Sequence, residues 1–300
     1  MHSHPSRRHF LRTAGAAAVG LAAVPAALRA EEKKDDPFGG FTVGCQAYTF
    51  RNFDVEQGLK RIKDLGLHYV EFYPGQKGQL NVNSTPEQIQ AMLKLCKDYD
   101  ITPVCWGVES FSKDHDANKK KFELAKALGL KALSADPDPD SFDSLDKLCD
   151  EYKISIGIHP HGPVGKDTLD RWYSAEIILA AVKDHNPLIG SCLDTGHLIR
   201  AAILGKELDP AKEIRVMGAR NFGIHLKDND NKAEMNGVGG GNSNVVFGKG
   251  ALDVPAVLKA LRDVRFKGYI SIEYEAHADD PSADMQECVA VFRESVKKLG

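Results

Sequence analysis

Ile189-Gly190-Ser191-Cys192-Leu193-Asp194-Thr195-Gly196-His197 decides the reading of this chain. A short apolar run bounded by turn signals reads as a strand buried on both faces. Here the run stops at an acid, a turn glycine and an imidazole. Three further stretches also end in potential metal ligands: Ile154 to His159 with His159-Pro160-His161, Arg220 to Leu226 with His225-Leu226-Lys227-Asp228, and Tyr269 to Tyr274 with Glu273-Tyr274-Glu275. Where parallel strands close into a barrel, their C-terminal ends form the face on which sites are built.

Working outward, β-rich runs alternate with amphipathic runs from Phe41 onward, the pattern of a parallel sheet covered by helices. The earlier strands are Thr42 to Tyr48, His68 to Tyr73, Thr102 to Val108 and Lys131 to Ala135. Ser84-Thr85-Pro86-Glu87 starts a helix with a capping hydroxyl and an early proline, and Gly129 stops another. A long helix is expected from Thr168 to His185, a shorter one near Asp209 to Met217, and a closing helix from Ala283 to Leu299. Eight strand-helix units predict an α/β fold, the (β/α)8 TIM barrel, over residues 41–300. An open doubly wound sheet is the alternative, but no Gly-x-Gly-x-x-Gly follows the first strand. Asn229 to Gly250, rich in Gly and Asn, has the length of a loop that is either disordered or a lid on a site.

The N-terminus reads as an address. Arg7-Arg8-His9-Phe10-Leu11 precedes an Ala/Gly-rich run to Leu28, the layout of a Tat signal over residues 1–30, followed by a flexible leader over 31–40. The run is interrupted by Pro25 and is weakly apolar, whereas a membrane span needs about 20 strongly apolar residues, so no stable membrane anchor is expected. The protein is therefore expected in the periplasm or medium, with the Tat translocase as a partner during export. About 270 residues then remain from the 300, enough for one barrel domain. A formal charge of −3 and a pI near 6.4 supply no basic surface for nucleic acid. Six scattered cysteines, three of them in strand-like runs, read as free buried thiols.

Side chains alternate across a strand, so His159 and His161 share a face, as do His225 and Lys227, and Glu273 and Glu275. The first of each pair lies deeper, which suggests that deep residues hold an ion and outer ones meet a substrate. A lone strand-end histidine is more often a hydrogen-bonded structural residue. Four consecutive strand ends carrying such residues make a divalent metal site the better reading, and mixed imidazole and carboxylate donors suit Mn, Zn, Co or Fe. Glu71 reads as a substrate-contacting or supporting carboxylate, with a plain ion pair as its rival. Trp106 reads as an apolar wall under a sugar ring, with core packing as its rival. His197 fits a substrate hydroxyl or an extra ligand. Lys227 fits a developing oxyanion, although a solvated lysine is commoner.

At these residues the chain resembles the xylose isomerase-like barrel group of sugar isomerases and epimerases. Gly44-Cys45-Gln46-Ala47-Tyr48-Thr49-Phe50, Val70-Glu71-Phe72, Leu193-Asp194-Thr195-Gly196-His197, His225-Leu226-Lys227-Asp228, Phe247-Gly248-Lys249-Gly250 and Ser271-Ile272-Glu273 carry the resemblance. It implies one ion held by His159, Asp194, His225 and Glu273. Family members place a glutamate where His159 stands and use it with the strand-eight glutamate as an acid/base pair, so this chain departs from the pattern. Glu273 and His161 are the expected proton carriers.

The implied chemistry is polarisation of a sugar carbonyl and formation of an enediolate. Three outcomes stay open: an isomerase or epimerase of a ketose or related carbonyl sugar, a lyase or hydratase of an oxidised 3-keto sugar or glycoside, and a non-catalytic sugar-binding barrel. Apurinic-site endonucleases share the barrel but need histidines after strands two and three, where this chain has Glu71 and Trp106. A small sugar-like molecule is the expected ligand, and a homo-oligomer is compatible with the sequence.

Overall fold

A computed structural model describes residues 36–230 and 244–299. Eight parallel strands close into a barrel in sequence order. We label them β1 (Thr42–Gln46), β2 (Tyr69–Phe72), β3 (Thr102–Phe111), β4 (Ala132–Pro137), β5 (Ser155–Ile158), β6 (Ile189–Asp194), β7 (Asn221–Leu226) and β8 (Tyr269–Ile272). The outer helices are α1 (Val55–Asp64), α2 (Pro86–Asp98), α3 (His115–Ala127), α4 (Phe142–Tyr152), α5 (Ala175–Val182), α6 (Thr195–Arg200), α7 (Pro210–Met217), α8 (Val254–Asp263) and α9 (Ser282–Lys298). The open doubly wound alternative is thereby excluded.

Local chemistry sets these boundaries. Asp54 with Gln57, and Thr85 with Gln88, form capping boxes that satisfy free N–H groups at the starts of α1 and α2. Phe50, Phe72, Phe122, Leu145, Ile178, Leu258 and Phe292 are fully buried. Each such side chain contributes roughly 1.5–3 kcal/mol of transfer free energy, so the barrel is held mainly by apolar burial. All six cysteines are free and buried.

Two expectations are revised. The helix expected over Thr168 to His185 is shorter, because Thr168–Leu169 instead pairs with Pro163–Gly165 in a small antiparallel ribbon. Trp172 is buried there with its Nε1–H donated to the Pro137 carbonyl at 3.1 Å, and Ser174 caps the helix that follows. The tertiary contact outweighs the helical periodicity. β3 also extends beyond Val108 to Phe111 by pairing with β4.

The expected signal over residues 1–30, and 31–35 of the leader, lie outside the described residues, as do residues 231–243 of the long loop. From Asp36 the chain turns, and Phe38 rests on Phe292 with ring centroids 5.9 Å apart. No helix among the described residues is long and apolar enough to cross a membrane.

Candidate active site

The ends of β5 to β8 bring four side chains together. One ligand atom from each of His159, Asp194, His225 and Glu273 lies within 4.8 Å of the other three, and all four residues are buried. His159 Nε2 is 3.0 Å from His225 Nδ1 and 3.4 Å from Asp194 Oδ2, while His225 Nδ1 is 3.2 Å from Glu273 Oε2. Donors bound at about 2.0–2.2 Å to one ion stand roughly 3–4 Å apart, so the set has the dimensions of a coordination shell. Asp194 Oδ2 is sealed from water and makes no hydrogen bond. A carboxylate oxygen with no hydrogen bond and only the Lys227 ammonium to balance it, beside two facing imidazole nitrogens and a second carboxylate, is a donor set that a divalent cation would fit. The residues therefore fit a single divalent ion.

Asp194 has three tasks at once. It ends β6, accepts the His197 N–H at 2.7 Å with Oδ1 as the cap of α6, and leaves Oδ2 for the cluster. Burial opposes its charge, but Lys227 above all, with His197 and His159, holds its carboxyl well below the usual range. Burial lowers the His159 pKa to about 4, which keeps its ring neutral and able to donate a lone pair. For His225 burial acts downward too, yet contacts with Cys192 and Glu71 raise it well above the ordinary value.

Glu71 lies on the other side of the His225 ring from the cluster. Its Oε2 is 2.8 Å from His225 Nε2 and accepts the Ser271 hydroxyl at 2.7 Å, while Ser134 donates to Oε1. Glu71 has no exposed surface. A carboxylate on the far nitrogen of a ligating histidine fixes the ring's orientation and raises its basicity. Trp106 also stands apart from the cluster: it packs edge-to-face on Phe72 and donates Nε1–H to Glu109 at 2.8 Å.

Lys227 is buried rather than solvated. Its ammonium is 3.2 Å from Asp194 Oδ2 and 2.9 Å from Glu273 Oε2, and it donates to Glu275. Burial works against its charge, but these three carboxylates raise its pKa well above the usual lysine value. Gly196 makes room for it, since a Cβ there would stand 2.8 Å from the Lys227 stem and 2.4 Å from Asn229. His161 and His197 form the outer part of the site. The His161 ring centroid is 4.7 Å from that of His159 and 5.2 Å from that of His197. Gly162 N–H donates to His197 Nδ1 at 3.0 Å, which leaves the ring proton on Nε2.

Several contributors were not singled out from the sequence. Ser134 and Ser271 hold Glu71, and nothing in their local sequence marks them. Asp228 accepts N–H groups from Gly248 and Gly250 at 2.9 and 3.1 Å on Oδ2, and from Leu252 at 2.9 Å on Oδ1. Asn244 joins this anchor to the site by donating to the Asp228 carbonyl and accepting the Glu275 N–H. The Gly-Lys-Gly spacing was the available signal: a Cβ on Gly250 would lie 2.3 Å from Asp228 Oδ1.

Comparison with known proteins gives a family. The model of the xylose isomerase-like TIM barrel matches residues 59–295. The chain belongs to that family. An uncharacterised protein from Parabacteroides distasonis shares 26% identity at a TM-score of 0.64, covering 87% of this chain and 99% of its own. A 3-keto-D-glucoside 4-epimerase from E. coli is 17% identical at a TM-score of 0.63, covering 85% of this chain and 99% of its own. An L-ribulose 3-epimerase is 14% identical at 0.64, covering 86% and 96%. At such identities the last two share the fold alone. No curated protein matches the sequence.

Proposed function

We propose that this protein is a metal-dependent isomerase or epimerase acting on a ketose or related carbonyl sugar through an enediolate. The convergence of His159, Asp194, His225 and Glu273 within 4.8 Å carries the reading, and the sugar epimerases among its structural neighbours agree with it. A divalent ion held by these four residues would act as a Lewis acid on the substrate carbonyl and the adjacent hydroxyl. Glu273 and His161, on elements three strands apart around the barrel, take and return the proton. Lys227 balances the carboxylates and leaves a cation beside the developing oxyanion. His197 donates its Nε2–H to a substrate hydroxyl.

Metal analysis followed by incubation with ketoses and 3-keto-glycosides in D2O tests the reading. Metal-dependent exchange of a substrate C–H for deuterium, with an isomeric product, is the expected result. Exchange with loss of water or of a glycosidic substituent would establish instead the lyase reading, which His159 in place of a carboxylate favours. Tight sugar binding without exchange would make the barrel a binding protein.

The proposal extends to export by the Tat translocase into the periplasm, supported by Arg7-Arg8 and the Ala-rich run behind it. Replacing both arginines by lysine should retain the precursor in the cytoplasm, as read by cell fractionation. Unchanged periplasmic accumulation would refute this.

A further inference from the structure

Two arginines near the mouth of the barrel differ in how they are balanced. Arg171, substantially exposed, is paired with Asp136 at 2.9 Å and Asp138 at 2.7 Å. Arg200, only 6% exposed, forms no salt bridge among the described residues. Its Nε is sealed from water without a hydrogen-bond partner. Nη1 lies 3.3 Å from His197 Nδ1, but that nitrogen already accepts the Gly162 N–H at 3.0 Å. A neutral imidazole nitrogen offers one in-plane lone pair, so Nε and Nη1 have between them at best a share of one protein acceptor. Asp194 and Glu275 act on Arg200 through space only, and burial lowers its pKa.

A buried cation without a partner is costly, and a ligand that brings the counter-charge removes the cost. Its place suits a ligand at the metal cluster. Arg200 follows His197 by three residues on one face of α6, and the His197 ring centroid is 5.5 Å from that of His159. The planar guanidinium matches the two oxygens of a carboxylate or phosphate, a geometry an ammonium does not reproduce.

We propose that Arg200 receives an anionic group of the substrate, so that the sugar carries a carboxylate or a phosphate. The carbonyl-sugar part of this statement rests on the function proposed above, whereas the anion rests on Arg200 itself.

The test is calorimetric titration of the full chain, loaded with Mn2+, with D-fructose, D-fructuronate and D-fructose 6-phosphate, for the wild type, R200Q and R200K. The wild type should bind one of the two anions roughly tenfold or more tightly than fructose, as a charge-assisted pair implies. Which anion it is separates the carboxylate source from the phosphate source. R200Q should lose that preference while its Mn2+ stoichiometry stays unchanged, and R200K, which keeps the charge but not the fork, should fall between. If R200Q does not fold, R200K decides: a preference equal to the wild type's overturns the assignment. Absence of any anion preference in the wild type, including absence of binding, overturns it, as does a preference that survives in R200Q. Deuterium exchange in the same samples keeps the two proposals apart. An intact anion preference without exchange sinks the isomerase reading alone, and exchange without an anion preference sinks the role of Arg200 alone.

Discussion

The two halves of the barrel end in different chemistry. β5 to β8 deliver His159, Asp194, His225 and Glu273, whose donor atoms converge with Asp194 Oδ2 making no hydrogen bond. Near the ends of β1 to β4 stand Gln46, Glu71, Trp106 and Asp136, each held by a hydrogen bond or ion pair within the protein. Gln46 binds Gly107 and Tyr48, Trp106 binds Glu109, and Asp136 binds Arg171. One half is built to bind and the other to support. Glu71 joins them by reaching across the barrel to the back of His225.

The largest effect that sharpens this contrast is loss of the metal. Asp194→Asn keeps an oxygen able to accept the His197 N–H, so α6 stays capped, but it removes the charge from the cluster. Asp194→Ala also removes the cap, at a cost of about 1 kcal/mol. Both should lose the stoichiometric ion by elemental analysis, and Asp194→Asn should melt close to the wild type. His225→Ala should lose it as well, with a larger fall in Tm because Glu71 is left buried and unpaired. Full occupancy in these variants would dissolve the distinction between the halves. An equal metal loss in Trp106→Phe, on the supporting half, would do the same.

Next in size are the proton carriers. Glu273→Gln keeps an oxygen near the cluster but no longer accepts a proton, so deuterium exchange should fall by about 10²–10⁴ while metal affinity falls much less. His161→Asn, which leaves all four cluster residues in place, should keep the ion and reduce turnover over the same range. Exchange retained only in the Glu273 variant would move the base to His161 and favour the lyase. Exchange retained only in the His161 variant would assign abstraction to Glu273. Undiminished turnover in both would remove them from the mechanism.

What could be read from the sequence follows the distance over which each contact acts. The barrel and the β5 to β8 residues were legible because alternation within a strand and position at its end are local properties, repeated in His159, Asp194, His225 and Glu273. The supporting half was not. Glu71 and His225 are 154 residues apart, and whether Glu71 faces a substrate or a histidine depends on packing that no local pattern encodes. Lys227 fits a developing oxyanion with a solvated lysine as the rival reading, and the sequence does not show the three carboxylates around its ammonium that make burial tolerable. Thr168 to His185 carries helical periodicity, yet the buried Trp172 and the Ser174 cap delay the helix. Arg200 gave no signal, because an arginine at a helix end reads as favourable to the dipole until its surroundings are known.

The smallest effect concerns the link between the halves. Glu71→Gln removes the charge behind His225 but leaves an amide oxygen for its Nε2–H, and Ser134 and Ser271 have hydroxyls that can turn to accept from the new amide. The fold should persist, and metal affinity at high pH should fall by about 10- to 100-fold, the usual effect of losing such a support. The pH dependence should change as well. In the metal-free wild type Cys192 and Glu71 raise the His225 pKa against the pull of burial, so the ring holds its proton to higher pH than an ordinary histidine and a metal must displace that proton. Apparent affinity should therefore rise with pH by about tenfold per unit until the raised pKa is passed. Without the Glu71 charge the pKa drops, and the rise shifts to lower pH. The wild type and the variant should consequently differ most at high pH and draw together as the pH falls, which competition against a chelator across pH 5.5 to 9 would measure. Parallel curves at all pH values would mean that Glu71 orients the ring without setting its protonation. Identical curves would mean that the supporting half plays no part in holding the ion.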